Sequence, residues 1–145
     1  MAISQAMCTS FKVALLNGEM DFSSDTSDVF KIALYTSSAS LSAATTAYSA
    51  TNEVANGDGY TTGGETLSIT TNPTSSGTTA YLDFSDVTWS DSTITARGAL
   101  VYKADGSGNP AVAVLDFGAD KISTSGDFTV QFPTADATNA IIRVA

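Results

Sequence analysis

From Val29 onward the hydrophobic positions of this chain alternate with polar ones at a period of two, in short runs separated by Ser, Thr, Gly and Asn. In Val29-Phe-Lys-Ile-Ala-Leu-Tyr-Thr36, residues Phe30, Ile32 and Leu34 share one face, the pattern of a strand with a buried side. Its aromatic and branched residues favour a central position in a sheet. The same reading predicts strands over Glu65 to Thr71, Thr79 to Phe84, Val87 to Trp89, Thr93 to Lys103, Ala111 to Phe117, Phe128 to Phe132 and Ala140 to Val144, about eight in all. Asp105-Gly-Ser-Gly-Asn-Pro110 reads as a hairpin loop, because Gly supplies positive φ and Pro110 can open a strand without donating a ladder bond. Short strands broken by such turns predict an antiparallel β-sandwich or jelly roll, with residues 1–145 forming a single domain.

Two segments depart from this alternation. At the start, Ile3, Met7, Phe11 and Leu15 recur at i+4 spacing and Asn17-Gly18 offers a stop, so a short N-terminal helix is predicted within residues 1–18. Phe11, Val13 and Leu15 also alternate with Lys12 and Ala14, so a strand from Phe11 to Leu16 fits the same letters; the longer run from Ile3 decides for the helix. Residues 37–64 form the longest connector, rich in Ser, Thr, Ala and Gly, with turn signals at Asn56-Gly57, Asp58-Gly59 and Gly63-Gly64. So long a connector is expected to be a working surface loop.

Composition narrows the function classes. The 145 residues are 43% hydrophobic, enough for a core without metals or staples, and 15 acidic against 6 basic residues give a net charge of -9. The few Lys and Arg are spread singly, so no cationic stripe is available to neutralise phosphates, and neither nucleic acid nor an anionic membrane is an expected partner. The acidity suits either solubility or a basic protein surface. Cys8 stands alone and cannot form an intramolecular disulfide, which fits assembly in a reducing cytoplasm. The N-terminal residues lack the basic and apolar regions of a secretory signal, and no apolar run approaches the ~20 residues of a membrane span.

Catalytic chemistry finds little to work with. The chain has no histidine and neither a Ser-x-x-Lys nor a Gly-x-Ser-x-Gly arrangement, so a hydrolase triad is not expected. Asp83, Asp86 and Asp91 beside Trp89 would supply the carboxylates and stacking platform of a glycosidase; the alternative makes them strand-end and turn residues around a core Trp89. Calcium could use the same three aspartates, or Asp105, Ser107 and Asn109, but that loop is too short and ends without a bidentate Glu. Asp58-Gly-Tyr-Thr-Thr-Gly-Gly-Glu65 has the glycines of a phosphate cradle but no Lys and no following helix. No catalytic residue, metal or cofactor is therefore assigned. Binding residues are expected instead: Tyr48 and Tyr60 on the connector as interface anchors, and Met7 and Phe11 on one side of the N-terminal helix. As surface anchors, Tyr48 and Tyr60 should be replaceable by Ala with the fold near intact.

Taken in order, Phe30-Lys-Ile-Ala-Leu-Tyr-Thr-Ser37, Thr45-Thr-Ala-Tyr-Ser49, Asn52-Glu-Val54, Gly59-Tyr-Thr-Thr-Gly-Gly-Glu-Thr-Leu67, Arg97-Gly-Ala-Leu-Val-Tyr102 and Gly126-Asp-Phe-Thr-Val-Gln-Phe-Pro133 resemble small virion structural proteins of tailed bacteriophages. The resemblance spans nearly the whole chain and is carried by strand and turn segments. It implies a non-enzymatic cement or decoration protein on the outer capsid surface, bound to the major capsid protein and self-associated as a dimer or trimer, after assembly in the host cytoplasm. A tail component, or a carbohydrate- or receptor-binding module using Trp89 and the tyrosines as stacking platforms, is the alternative.

Overall fold

The i+4 spacing at the N-terminus is overruled by a sheet. In the computed structural model, which describes residues 2–145, Ala6–Met7 (β1) pairs antiparallel with Val114 and Ala113 of Ala111–Ile122 (β8). Ser4 N–H donates to Leu41 C=O and Cys8 N–H to Val112 C=O, so residues 4–8 spend their backbone on distant partners. Only Thr9–Leu16 is helical (α1). Its end is a Schellman motif: Gly18, at φ 72°, donates to Leu15 C=O and Glu19 N–H reaches Ala14 C=O. The predicted stop at Asn17-Gly18 is correct and the predicted start at Ile3 is not, because ladder bonds along β8 outweigh a spacing that strand residues can share.

The remaining strands are Phe30–Tyr35 (β2), Glu65–Leu67 (β3), Ile69–Ser76 (β4), Thr79–Phe84 (β5), Val87–Ser92 (β6), Thr95–Lys103 (β7), Gly126–Val130 (β9) and Ile142–Val144 (β10). They form a five-stranded sheet in the order β1-β8-β7-β2-β3, a three-stranded sheet β10-β5-β4 and a two-stranded ribbon β6-β9, with every ladder antiparallel. The chain is an all-β sandwich with one short helix. Among the described residues there are ten strands where about eight were predicted. The run predicted as one strand from Glu65 to Thr71 divides at Ser68, β3 closing one sheet and β4 opening another. β4 runs past the predicted end at Thr71, with Asn72-Pro73 in a register shift. That strand is the outer one of its sheet, where a residue without N–H leaves no ladder bond unmade.

β2 is buried on both faces, and each face has its own cover. On the Phe30 side Phe22 stacks on Phe30 at 4.3 Å between ring centroids and meets Phe11 edge-on at 5.9 Å. Phe84 of β5 packs 6.2 Å from Phe22 and brings in Phe132. These offset and edge-on contacts join α1 and the three-stranded sheet to β2. Lys31 pairs with Tyr102 on the opposite side of the sheet. There the cover is the 37–64 connector, which buries Ala39, Leu41, Val54 and Tyr60 and so forms a packed layer, not a free loop.

Candidate interaction surface

One carboxylate gathers three donors of the connector. Glu53, half-buried, accepts the Tyr48 hydroxyl at 2.7 Å, the Tyr60 hydroxyl at 2.6 Å and Gly63 N–H at 2.7 Å. The Tyr60 hydroxyl also accepts Leu34 N–H at 2.9 Å, while Leu34 C=O accepts Val54 N–H. β3 has stopped pairing by this point of β2, so a side-chain oxygen and a connector amide stand where the next strand would be. Around this clasp the Tyr48 ring stacks on Tyr102 at 4.6 Å, Tyr102 donates to Gly63 C=O at 2.8 Å, and Tyr35 donates to Ser49 C=O at 2.7 Å. Burial first, then the bond to Glu53, holds the Tyr48 and Tyr60 hydroxyls protonated far above the usual tyrosine range. Gly64 is tied to β2 by close approach: at φ 76° it would place a Cβ 1.8 Å from the carbonyl oxygen of Ile32.

This placement takes Tyr60 out of the expected interface and leaves Tyr48 half-buried. Tyr60 is 2% exposed, and both hydroxyls point inward to Glu53, so these tips face their own chain. Glu53 itself escaped the sequence reading, although it is the one charged residue between Lys31 and Asp58. A lone charge amid small and aromatic residues is the signal that marks it.

Met7 and Phe11 are brought together at a different place, beneath α1. Phe11 is fully buried and with Ala14 forms the inner face of the helix. Met7, on β1 and not on a helix, is half-buried. Both line the floor of an apolar depression that continues across α1 and β10. One part, about 410 Å³, lies between Phe11, Leu15, Phe22, Leu82 and Ile142; the other, about 340 Å³, lies between Met7, Leu16 and Arg143. Leu15 and Val144 line both parts. The outer face of α1 is also apolar, with Leu16 90% and Val13 56% exposed, and Val144 on the outer strand β10 is 49% exposed. Exposed apolar residues of a short helix thus stand close to an outer strand, over a shared apolar depression.

The other candidates resolve into structural parts. Trp89 is 2% exposed and packs between Tyr60 and Phe128, so it is no platform for a sugar. Asp86 accepts Phe132 N–H at 2.8 Å, and Asp91, at φ 49°, sits inside β6 where its register with β9 shifts between Trp89 and Ser92. One oxygen of Asp83 is buried without a partner, and burial, with a smaller contribution from Asp86, raises its pKa. Asp105 accepts the amides of Ser107, Gly108 and Asn109, which makes the β7–β8 connection the predicted hairpin tip and lowers the carboxyl's pKa. Among the described residues no three His, Cys, Asp or Glu side chains gather as metal ligands, and no helix is long and apolar enough to cross a membrane. No protein-family model, curated protein or solved structure matches the chain.

Proposed function

We propose that this chain is a non-enzymatic cement protein that binds the outer surface of a tailed-phage capsid shell and ties neighbouring major capsid proteins together. The observation that carries the reading is the apolar surface of α1 and β10, with Leu16, Val13 and Val144 exposed on an acidic β body. Apolar surface removed from water contributes about 25 cal/mol per Å², and a stable contact buries about 1,200–2,000 Å² in total. Repetition of such contacts around a closed shell turns moderate single affinities into a strong clamp. A cement must also resist deformation, and the Glu53 clasp and the aromatic stack through Phe22, Phe30 and Phe84 support that role. The strand and turn segments that resemble virion proteins point to the particle as its location.

The test is co-sedimentation of the purified chain with phage heads that lack it, together with the heads' survival of heat and osmotic shock. Saturable occupancy with greater survival is expected. Binding to tails and not to heads overturns the cement role, and binding to neither overturns the particle assignment.

A further inference from the structure

We propose that the groove between α1 and β10 receives an apolar segment of a different protein whose flanking residues are carboxylates. The inference rests on the docking face named above, and not on which particle carries the partner. The chain has 6 Lys and Arg in total and a net charge of -9. Two of the six, Lys12 and Arg143, line the part of the groove beside Leu16, and no acidic side chain lines that part. Among the described residues the ion pairs are Arg97 with Asp116 and Lys103 with Asp28, so neither groove cation is engaged in one. Arg143 Nε donates only to Ala140 C=O, at 3.2 Å. Asp136 lies near enough to feel Arg143, but its oxygens accept from Thr138 and Asn139. Asp21, which lines the other part, accepts from Ser23. An acidic molecule thus places two cations, neither in an ion pair among the described residues, beside an apolar depression.

That arrangement selects among occupants. A second copy joined by a two-fold axis through the groove would set Lys12 and Arg143 against their own counterparts, at the meeting of two bodies of charge -9. An anionic lipid surface repels the whole chain. A partner side chain such as Leu or Phe seated between Leu15 and Val144, with Asp or Glu within reach of Lys12 and Arg143, satisfies both the apolar floor and the basic rim.

The experiment is selection from a random peptide display library on the immobilised chain, with the enriched peptides synthesised and titrated. Enrichment of peptides that combine an apolar residue with Asp or Glu is expected. Their affinity should fall about tenfold in the Lys12→Glu, Arg143→Glu double variant and weaken with added salt. Both positions are exposed, so thermal unfolding should match wild type, and selection on the double variant should enrich Lys and Arg instead. Peptides without acidic preference, equal affinity for the double variant, dimerisation abolished by Leu16→Asp, or uptake onto phosphatidylglycerol vesicles would each overturn the proposal. Acidic-apolar peptides that bind as expected, with no binding to phage heads, would overturn the cement reading alone. Head binding unchanged by the double variant, with no acidic preference among peptides, would overturn the groove chemistry alone.

Discussion

Removing one oxygen atom from Tyr60 tests how the connector is held. In Tyr60→Phe the ring keeps its contact with Trp89, but Leu34 N–H loses its acceptor and Glu53 loses one of three donors. Leu34 is fully buried, so water cannot replace the lost partner. An orphaned buried donor costs about 1–3 kcal/mol and a hydrogen bond to a charged group is worth about 1.5–3 kcal/mol. The two effects share one hydroxyl and do not add fully, which places the loss near 3 kcal/mol out of the roughly 5–15 kcal/mol available to a domain. For a chain of this size that lowers Tm by about 10 °C. Urea and thermal unfolding followed by the buried Trp89 would measure it. Tyr48→Phe is the internal control, since it strands no backbone group and leaves Glu53 two donors; about 1.5 kcal/mol is expected. If Tyr60→Phe unfolds within about 0.5 kcal/mol of wild type, or costs no more than Tyr48→Phe, the clasp does not hold the connector.

Three further substitutions or probes follow from the same contacts. Gly64→Ala must push a Cβ into Ile32 C=O at a positive φ and should cost at least about 3 kcal/mol; an unchanged unfolding midpoint would contradict the close approach. Cys8 is fully buried, which pushes its thiol pKa up to about 11, so a thiol reagent should label it only as fast as the protein opens; rapid labelling in native buffer would be inconsistent with that burial. Asp83 has a folded-state pKa above the ordinary 3.8, so it binds its proton more tightly folded than unfolded. It therefore lowers stability as pH rises from about 3.8 through the raised value, and Asp83→Asn should flatten that limb of the curve. Equal slopes for both proteins, from acid to neutral pH, would rule this out.

The parts of this fold that were legible in the sequence are those set by local pattern. Phe30, Ile32 and Leu34 alternate because β2 has a core face, Gly18 ends α1 because φ 72° suits no other residue as well, and Asp105 to Asn109 turn because one carboxylate gathers three amides. What was hidden depends on partners far along the chain. Residues 4–8 carry a helix-compatible spacing, yet Leu41, Val112, Ala113 and Val114 take their backbone into a sheet. The 37–64 segment reads as a loop because Ser, Thr and Gly set its composition, while its order comes from distant partners: Glu53 gathers Tyr48, Tyr60 and Gly63, and backbone bonds tie it to Ser4, Thr9, Leu34 and Ala111. The groove joins Leu15 and Leu16 to Arg143 and Val144, and no sequence window contains both ends. Met7 and Phe11 were expected to share one helix; Met7 lies on β1 instead, and the exposed apolar residues of α1 are Val13 and Leu16.

The most direct measurement of the docking account is saturation occupancy on phage heads for wild type, Leu16→Asp and Ile122→Asp. Leu16 and Ile122 are both exposed apolar residues, but Ile122 lies at the far end of β8 from the segment that pairs with β1, so its charge should leave the α1–β10 face untouched. All three should share one unfolding midpoint. The account predicts full occupancy for wild type and Ile122→Asp and little for Leu16→Asp; equal occupancy by all three would contradict it.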